Sequence, residues 1–358
     1  MKKVSVIFLI VIVVAGGLYF FRRQLGFPDA LSGASVSMVM YGNSLYHQKE
    51  MVVLEKGSLR IEGEVKSGGE VNLDKYYKHE IIVKESIFDP DSGIQFQGAY
   101  RYKGYSLLDL LHPFVLEKKN AETFRPQIDL YVVIENQEGD SVVFSWSEIF
   151  HTSLPHQIIL ATEAAPIVPH KKEVAYDPGR TWKVVAASDL FSFRSLINPV
   201  KITVKSFDQK EYKIDREIDP LSSEKVEVYV EKTHAGQIYP ILDSSRYVRY
   251  YSTFYGMGMG YHPAKYFQGP LLASVLPPVP EGFDRKWNRT GLVCFAALDG
   301  YRTVYSFSEL FNRNDQVFPI LAITENPLDG GFYRIFHPSD FFADRSVKAL
   351  TEIFFFRP

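Results

Sequence analysis

Gly139-Asp-Ser-Val-Val-Phe-Ser-Trp-Ser-Glu-Ile-Phe150 returns later in the chain as Gly300-Tyr-Arg-Thr-Val-Tyr-Ser-Phe-Ser-Glu-Leu-Phe311. Ser145/Ser306, Ser147/Ser308, Glu148/Glu309 and Phe150/Phe311 fall in register. In each copy a short strand runs into Ser-aromatic-Ser-Glu, the pattern of an N-cap serine opening a helical turn. An apolar strand follows both times, Ile158-Ile-Leu-Ala-Thr-Glu163 and Ile320-Leu-Ala-Ile-Thr-Glu325. Farther on, Ser188-Asp-Leu-Phe-Ser-Phe-Arg-Ser195 answers Ser339-Asp-Phe-Phe-Ala-Asp-Arg-Ser346. Three blocks in one order at similar spacing predict an internal duplication.

The 358 residues give room for two domains, each with its own core. A formal net charge of −2 without a basic stripe removes the electrostatic case for a nucleic-acid partner. The lone cysteine, Cys294, excludes an intrachain disulfide, a CxxC redox pair, a cysteine-rich zinc site and a CxxCH haem attachment. It lies in the apolar run Leu292-Val-Cys-Phe-Ala-Ala-Leu298, which predicts a buried structural thiol.

Residues 1–23 read as a membrane segment. Lys2 and Lys3 precede an apolar run from Val4 to Phe21, closed by Arg22-Arg23. As a helix that run is about 27 Å long, close to a hydrocarbon core. A signal peptide cut after Val13-Val-Ala15 is the competing reading, but the apolar run continues past that point. The expectation is an uncleaved anchor, membrane association through this helix, and the rest of the protein outside the cytoplasm. That means the periplasm in a Gram-negative source, or secretion if the segment is cleaved.

Residues 24–56 form a linker with one strand candidate, Ala34–Tyr41. A first copy spans 57–206. It opens with the alternating Leu59–Val65, then a Gly68-Gly69 turn and a strand from His79 to Lys84. Gly104 reads as a turn ahead of the short helix Leu107–Leu111, which stops at Pro113. A closing strand, Val200–Val204, ends the copy. Charged residues 207–224 read as a linker, and a second copy fills 225–358 between Val226–Val230 and Glu352–Phe356. Short strands with one or two short helices per copy predict an α+β, mostly β fold.

The order of these elements is similar to the molybdopterin-binding domain of the sulfite-oxidase type. Leu298-Asp-Gly-Tyr301 is the best local match, and Ser188-Asp189 and Pro338-Ser-Asp340 resemble that family's turn before the last strand. The resemblance implies two tandem sulfite-oxidase-like molybdopterin folds behind an N-terminal transmembrane helix. It also implies a molybdopterin cofactor held by a cysteine thiolate between the early strand and the glycine. The windows Ile81–Gly104 and Tyr247–Gly269 contain no cysteine, and Cys294 lies in a later strand. Soft anionic sulfur suits molybdenum in a way that serine or glutamate does not.

A pterin phosphate would call for convergent cations. His170, Lys171, Lys172 and Arg180, with Lys183 beside them, are the candidates, against the alternative of a solvated loop. A separate donor set, Met257, Met259 and His262, suits Cu(I) through thioethers and imidazole, against the alternative of a tight glycine turn. His151 and His156 fit no metal spacing and read as surface histidines, and His79-Glu80 lacks the second histidine of a zinc protease motif.

The reading that follows is a binding or scaffold module for a protein partner or small ligand. Two alternatives stay open: an oxidoreductase whose molybdenum is held by Glu85, Ser86, Ser252 or Thr253, and a copper-binding protein.

Overall fold

The computed structural model describes residues 46–169, 176–241, 243–258, 260–263, 266–282, 284–324 and 330–358. The candidate anchor, the strand candidate Ala34–Tyr41, His170–Lys172 and Met259 lie outside the described residues. Among the described residues, no helix is long and apolar enough to cross a membrane. The fold is α+β and mostly β, in two halves with similar element series.

In the first half these are β1 (Arg60–Gly63), β2 (His79–Asp89), β3 (Gly93–Ser106), α1 (Leu107–Leu111), β4 (Leu130–Asn136) and β5 (Ser141–Ser145). Then come α2 (Trp146–Phe150), β6 (Ile158–Pro169), β7 (Lys183–Ala186) and β8 (Pro199–Ser206). The inner sheet runs β1–β8–β4–β5, continued past β1 by the two-residue edge strand Gly69–Glu70, with β1 parallel to β8 and the other pairs antiparallel. The outer sheet runs β7–β6–β3–β2, antiparallel throughout.

The second half supplies β9 (Val226–Val230), β10 (Val248–Tyr251), β11 (Tyr266–Gly269), α3 (Leu272–Val275), α4 (Arg285–Thr290) and β12 (Leu292–Ala297). It ends with β13 (Arg302–Ser306), α5 (Phe307–Phe311), β14 (Ile320–Ile323), β15 (Tyr333–Phe336) and β16 (Leu350–Phe356). Its inner sheet, β9–β16–β12–β13, repeats the first, including the one parallel pair. The outer layer consists of two strand pairs, β10–β11 and β14–β15, and a bridge from Leu271 to Ile320 links them.

The inner strands explain why the repeated blocks are apolar nearly throughout. Side chains alternate across a strand, so a strand covered on both faces needs apolar residues at every position. In β4, Leu130, Val132 and Ile134 face the core of their own half, whereas Tyr131 and Val133 enter a third core between the two inner sheets. In β12, Val293 and Phe295 face inward, and Leu292 and Cys294 join that third core. Each such aliphatic or aromatic side chain, fully buried, contributes about 1.5–3 kcal/mol. Cys294 is buried there as the sequence predicts, and burial pushes its thiol pKa up.

Two expectations change. Gly104 is not in a turn but inside β3, where a Cβ would lie 2.0 Å from the Leu160 carbonyl oxygen of β6. Only glycine lets the two backbones come that close. The charged stretch 207–224 does not hang free either. Phe207 enters the third core, Lys210 and Tyr212 bond to Glu352, and the Asp215 N–H donates to the Asp299 carbonyl at 3.0 Å.

Candidate functional site: a polar cleft between the two halves

The site begins at the paired starts of α2 and α5. Ser145 Oγ accepts the Glu148 N–H at 3.0 Å, and Glu148 Oε1 accepts the Ser145 N–H at 2.7 Å. Ser306 and Glu309 form the same reciprocal box, at 3.1 and 3.3 Å. Such boxes satisfy N–H groups that a helix start leaves open.

Each glutamate then meets an arginine of its own half. Arg194 reaches Glu148 at 3.0 Å and Asp189 at 2.5 Å. Arg345 reaches Glu309 at 2.6 Å and Asp340 at 2.8 Å. Both arginines are fully buried and lie over an aromatic ring, Phe144 at 4.1 Å and Tyr305 at 3.5 Å. A buried guanidinium needs this much: a planar fork matched by carboxylates, and a ring face to cover the rest.

The halves cross-link at this point. Ser145 Oγ donates to Glu309 Oε2 at 2.8 Å, Arg194 donates to Ser306 Oγ at 3.1 Å, and Ser308 Oγ donates to Asp189 at 3.3 Å. The backbone contacts are exchanged. The Leu190 N–H donates to the Asn312 carbonyl at 2.8 Å, and the matching Phe341 N–H donates to the His151 carbonyl at 3.3 Å. A bridge from Asp189 to Arg313 is answered by one from Asp340 to Thr152.

The electrostatics of the two glutamates differ. Burial pushes Glu148 up to about 7; Arg194 opposes this and Glu309 adds to it. Burial also acts upward on Glu309, but Arg345 and its hydrogen bonds outweigh it and leave the pKa lowered. Burial and the paired arginine balance differently on the two sides. Glu309 therefore carries the charge, and Glu148 titrates near neutrality.

Beside this lock lies a cleft of about 440 Å³, lined from both halves by Ser147, Asp189, Ser308, Arg313, His337 and Asp340 among others. Its charges are already matched. Arg313 is held by Asp315 and by Ser339 Oγ at 2.6 Å. His337 is buried, which lowers its pKa and favours the neutral ring. Ser147 Oγ bonds His151 Nδ1 at 3.0 Å, and burial lowers His151 to about 4. The second half makes the same contact with an amide, Asn312 to Ser308 Oγ at 2.8 Å. An amide cannot act as a base, so the Asn312–Ser308 contact fastens the end of its helix and activates no nucleophile.

No protein-family model matches this chain, and no curated protein matches it.

The other residues singled out in the sequence lie elsewhere. Arg180 is exposed, and its carbonyl accepts the Glu55 N–H at 2.8 Å. Lys183 points inward to Glu85 at 2.8 Å, where Tyr102 also donates at 2.9 Å, so its ammonium is not presented to a phosphate. Met257 is 82% exposed, and its N–H bonds Asp344 at 3.1 Å. His262 packs its ring against Phe254, with centroids 5.5 Å apart.

The windows of the absent thiolate fit molybdenum poorly. Glu85 is committed to Lys183 and Tyr102, and Ser86 Oγ donates to the Leu190 carbonyl at 3.4 Å. Ser252 and Thr253 border a recess of only about 20 Å³. Cys294, the one soft donor of the right type, is sealed between the inner sheets.

Sequence reading found the matched blocks but missed their salt bridges. The signal was present, since Asp189…Arg194 and Asp340…Arg345 keep one offset in both copies. Another cluster, His79 with Asp109 and His156, left no trace in spacing.

Proposed function

We propose that this chain is a membrane-anchored binding module acting outside the cytoplasm. Two fused copies of a sulfite-oxidase-type domain, without molybdenum chemistry, present a polar cleft to a small polar ligand. The observation that carries this reading is the exchanged lock of Ser145, Glu309, Arg194 and Ser306, which fixes the two halves and so preforms the cleft beside it. Preformed concave sites with a few placed polar groups are the usual form of small-ligand sites. Commitment of Glu85 to Lys183 and Tyr102 speaks for binding without molybdenum catalysis.

The test uses the full-length chain, purified in detergent from molybdenum-replete cells. Elemental analysis for molybdenum and tungsten, with fluorescence of released pterin, is expected to find neither at stoichiometric level. Stoichiometric molybdenum and pterin would overturn the reading in favour of an oxidoreductase with another ligand. Thermal melting against amino acids, dicarboxylates and sugars then probes the cleft. A compound at about 100 times its Kd should stabilise by about 2.7 kcal/mol. Ser153→Trp, in the cleft wall, should abolish that shift. If no compound shifts the wild type, small-ligand binding fails and the scaffold reading replaces it.

A further inference from the structure

Three side chains distant in sequence converge in the first half, one of them on the loop whose residues 152–154 and 157 also line the cleft. His79 opens β2, Asp109 lies on α1, and His156 sits in the loop between α2 and β6. Asp109 Oδ2 is 2.6 Å from His79 Nε2 and 3.8 Å from His156 Nδ1. The three donor atoms all lie within 4.8 Å of one another. Their side chains are 28–31% exposed, so the group opens to solvent on one side.

The local structure holds them there. The Ser106 hydroxyl caps α1 and so sets the turn that carries Asp109. The neighbouring Lys78 turns to Glu163 at 2.5 Å instead of neutralising Asp109. His156 has φ 64°, the left-handed region that a side chain with a Cβ seldom adopts. Its Nδ1 is shielded from solvent and makes no hydrogen bond among the described residues. The two imidazoles stack with centroids 3.9 Å apart and planes within 6°.

We propose that His79, Asp109 and His156 form a binding site for a zinc-like divalent transition-metal ion, with water completing the coordination. Two imidazoles and one carboxylate are the donor set of open-coordinate zinc sites, and half-exposure leaves room for the remaining ligands. Metal–nitrogen bonds of about 2.0–2.1 Å place donor atoms somewhat over 3 Å apart. Loading therefore opens the His79–Asp109 hydrogen bond, draws His156 in and unstacks the rings.

The second half lacks the donors. Gly269 pairs with Val248 as Gly104 pairs with His79, and Ser274 stands at the helix position of Asp109. The site is a property of the first half alone; none of its three side chains lines the cleft, and it does not rest on the proposal made for the cleft.

The test titrates Zn²⁺ calorimetrically into untagged, EDTA-stripped full-length protein, and Co²⁺ under visible absorption. One equivalent of Zn²⁺ should bind, with Co²⁺ d–d bands from the same site. His156→Ala and Asp109→Asn should each weaken binding at least about tenfold and remove the Co²⁺ bands. No uptake by the wild type, or unchanged affinity in both variants, overturns the site. If a variant fails to fold, wild-type melting decides. A Zn²⁺-dependent rise in Tm, reversed by EDTA, supports the site, and an unmoved Tm sinks it.

Discussion

The first half builds its outer layer as one continuous ladder, with β2 and β3 of 11 and 14 residues. In the second half the corresponding β10 and β11 have four residues each, and one bridge replaces the ladder between β11 and β14. The inner sheets differ far less. The contrast follows the burial: strands covered on both faces are alike in the two halves, and the outer layer, with one face free, differs. The candidate metal ligands belong to the half whose outer ladder is intact.

The largest effect should come from the two buried arginines. Arg194→Ala and Arg345→Ala each strand a buried carboxylate, Asp189 or Glu309, together with a partly buried one, which costs about 3–5 kcal/mol in urea unfolding. In both variants burial then raises the stranded glutamate, so each loss should shrink in acid, and a loss that does not change with pH would contradict the ion pairing.

The crossover glycines come next. A Cβ on Gly104 or on Gly269 meets a carbonyl oxygen at 2.0 Å, Leu160 or Leu321. Gly104→Ala should cost about 3 kcal/mol, because β3 is paired on both sides. Gly269→Ala should cost about 1 kcal/mol, since the interrupted layer can shift. The reverse order, by thermal or urea melting, would contradict the account of the broken ladder.

A smaller, pH-dependent effect separates the glutamates. Folding raises Glu148 from 4.5 to about 7, so within that window the folded state binds more protons than the unfolded one. Its contribution to stability therefore falls as pH rises through the window, by at most about 1.4 kcal/mol per pH unit. The difference between wild type and Glu148→Gln should show that fall. Glu309→Gln should show the opposite sense, with the lost contribution largest above the ordinary glutamate range and vanishing in acid. The smallest effect belongs to Met257→Leu, at an 82% exposed position, which should leave stability within about 0.5 kcal/mol.

Much of the inner architecture was legible in the sequence because its determinants are local. The helix caps at Ser145 and Ser306 need only their own next three residues, and the inner strands announce themselves by unbroken apolar runs. Gly104 was misread because a glycine in a turn and a glycine under a crossing carbonyl look alike until the partner strand is known. The 207–224 stretch was misread because its charges hide Phe207 and Tyr212, which pack. His79, Asp109 and His156 could not be joined at all, since topology alone brings their three elements together.

The exchanged contacts around α2 and α5 have the form of an isologous two-fold interface, in which residue i of one side meets j of the other and j meets i. Here both partners are drawn from a single polypeptide. The assembly therefore has no dissociation equilibrium, and its melting should not depend on protein concentration, as a true dimer's would. It also escapes the rule that a symmetric pair must change both members together. One half could acquire a histidine, or lose a strand ladder, while its partner kept the shared surface unchanged.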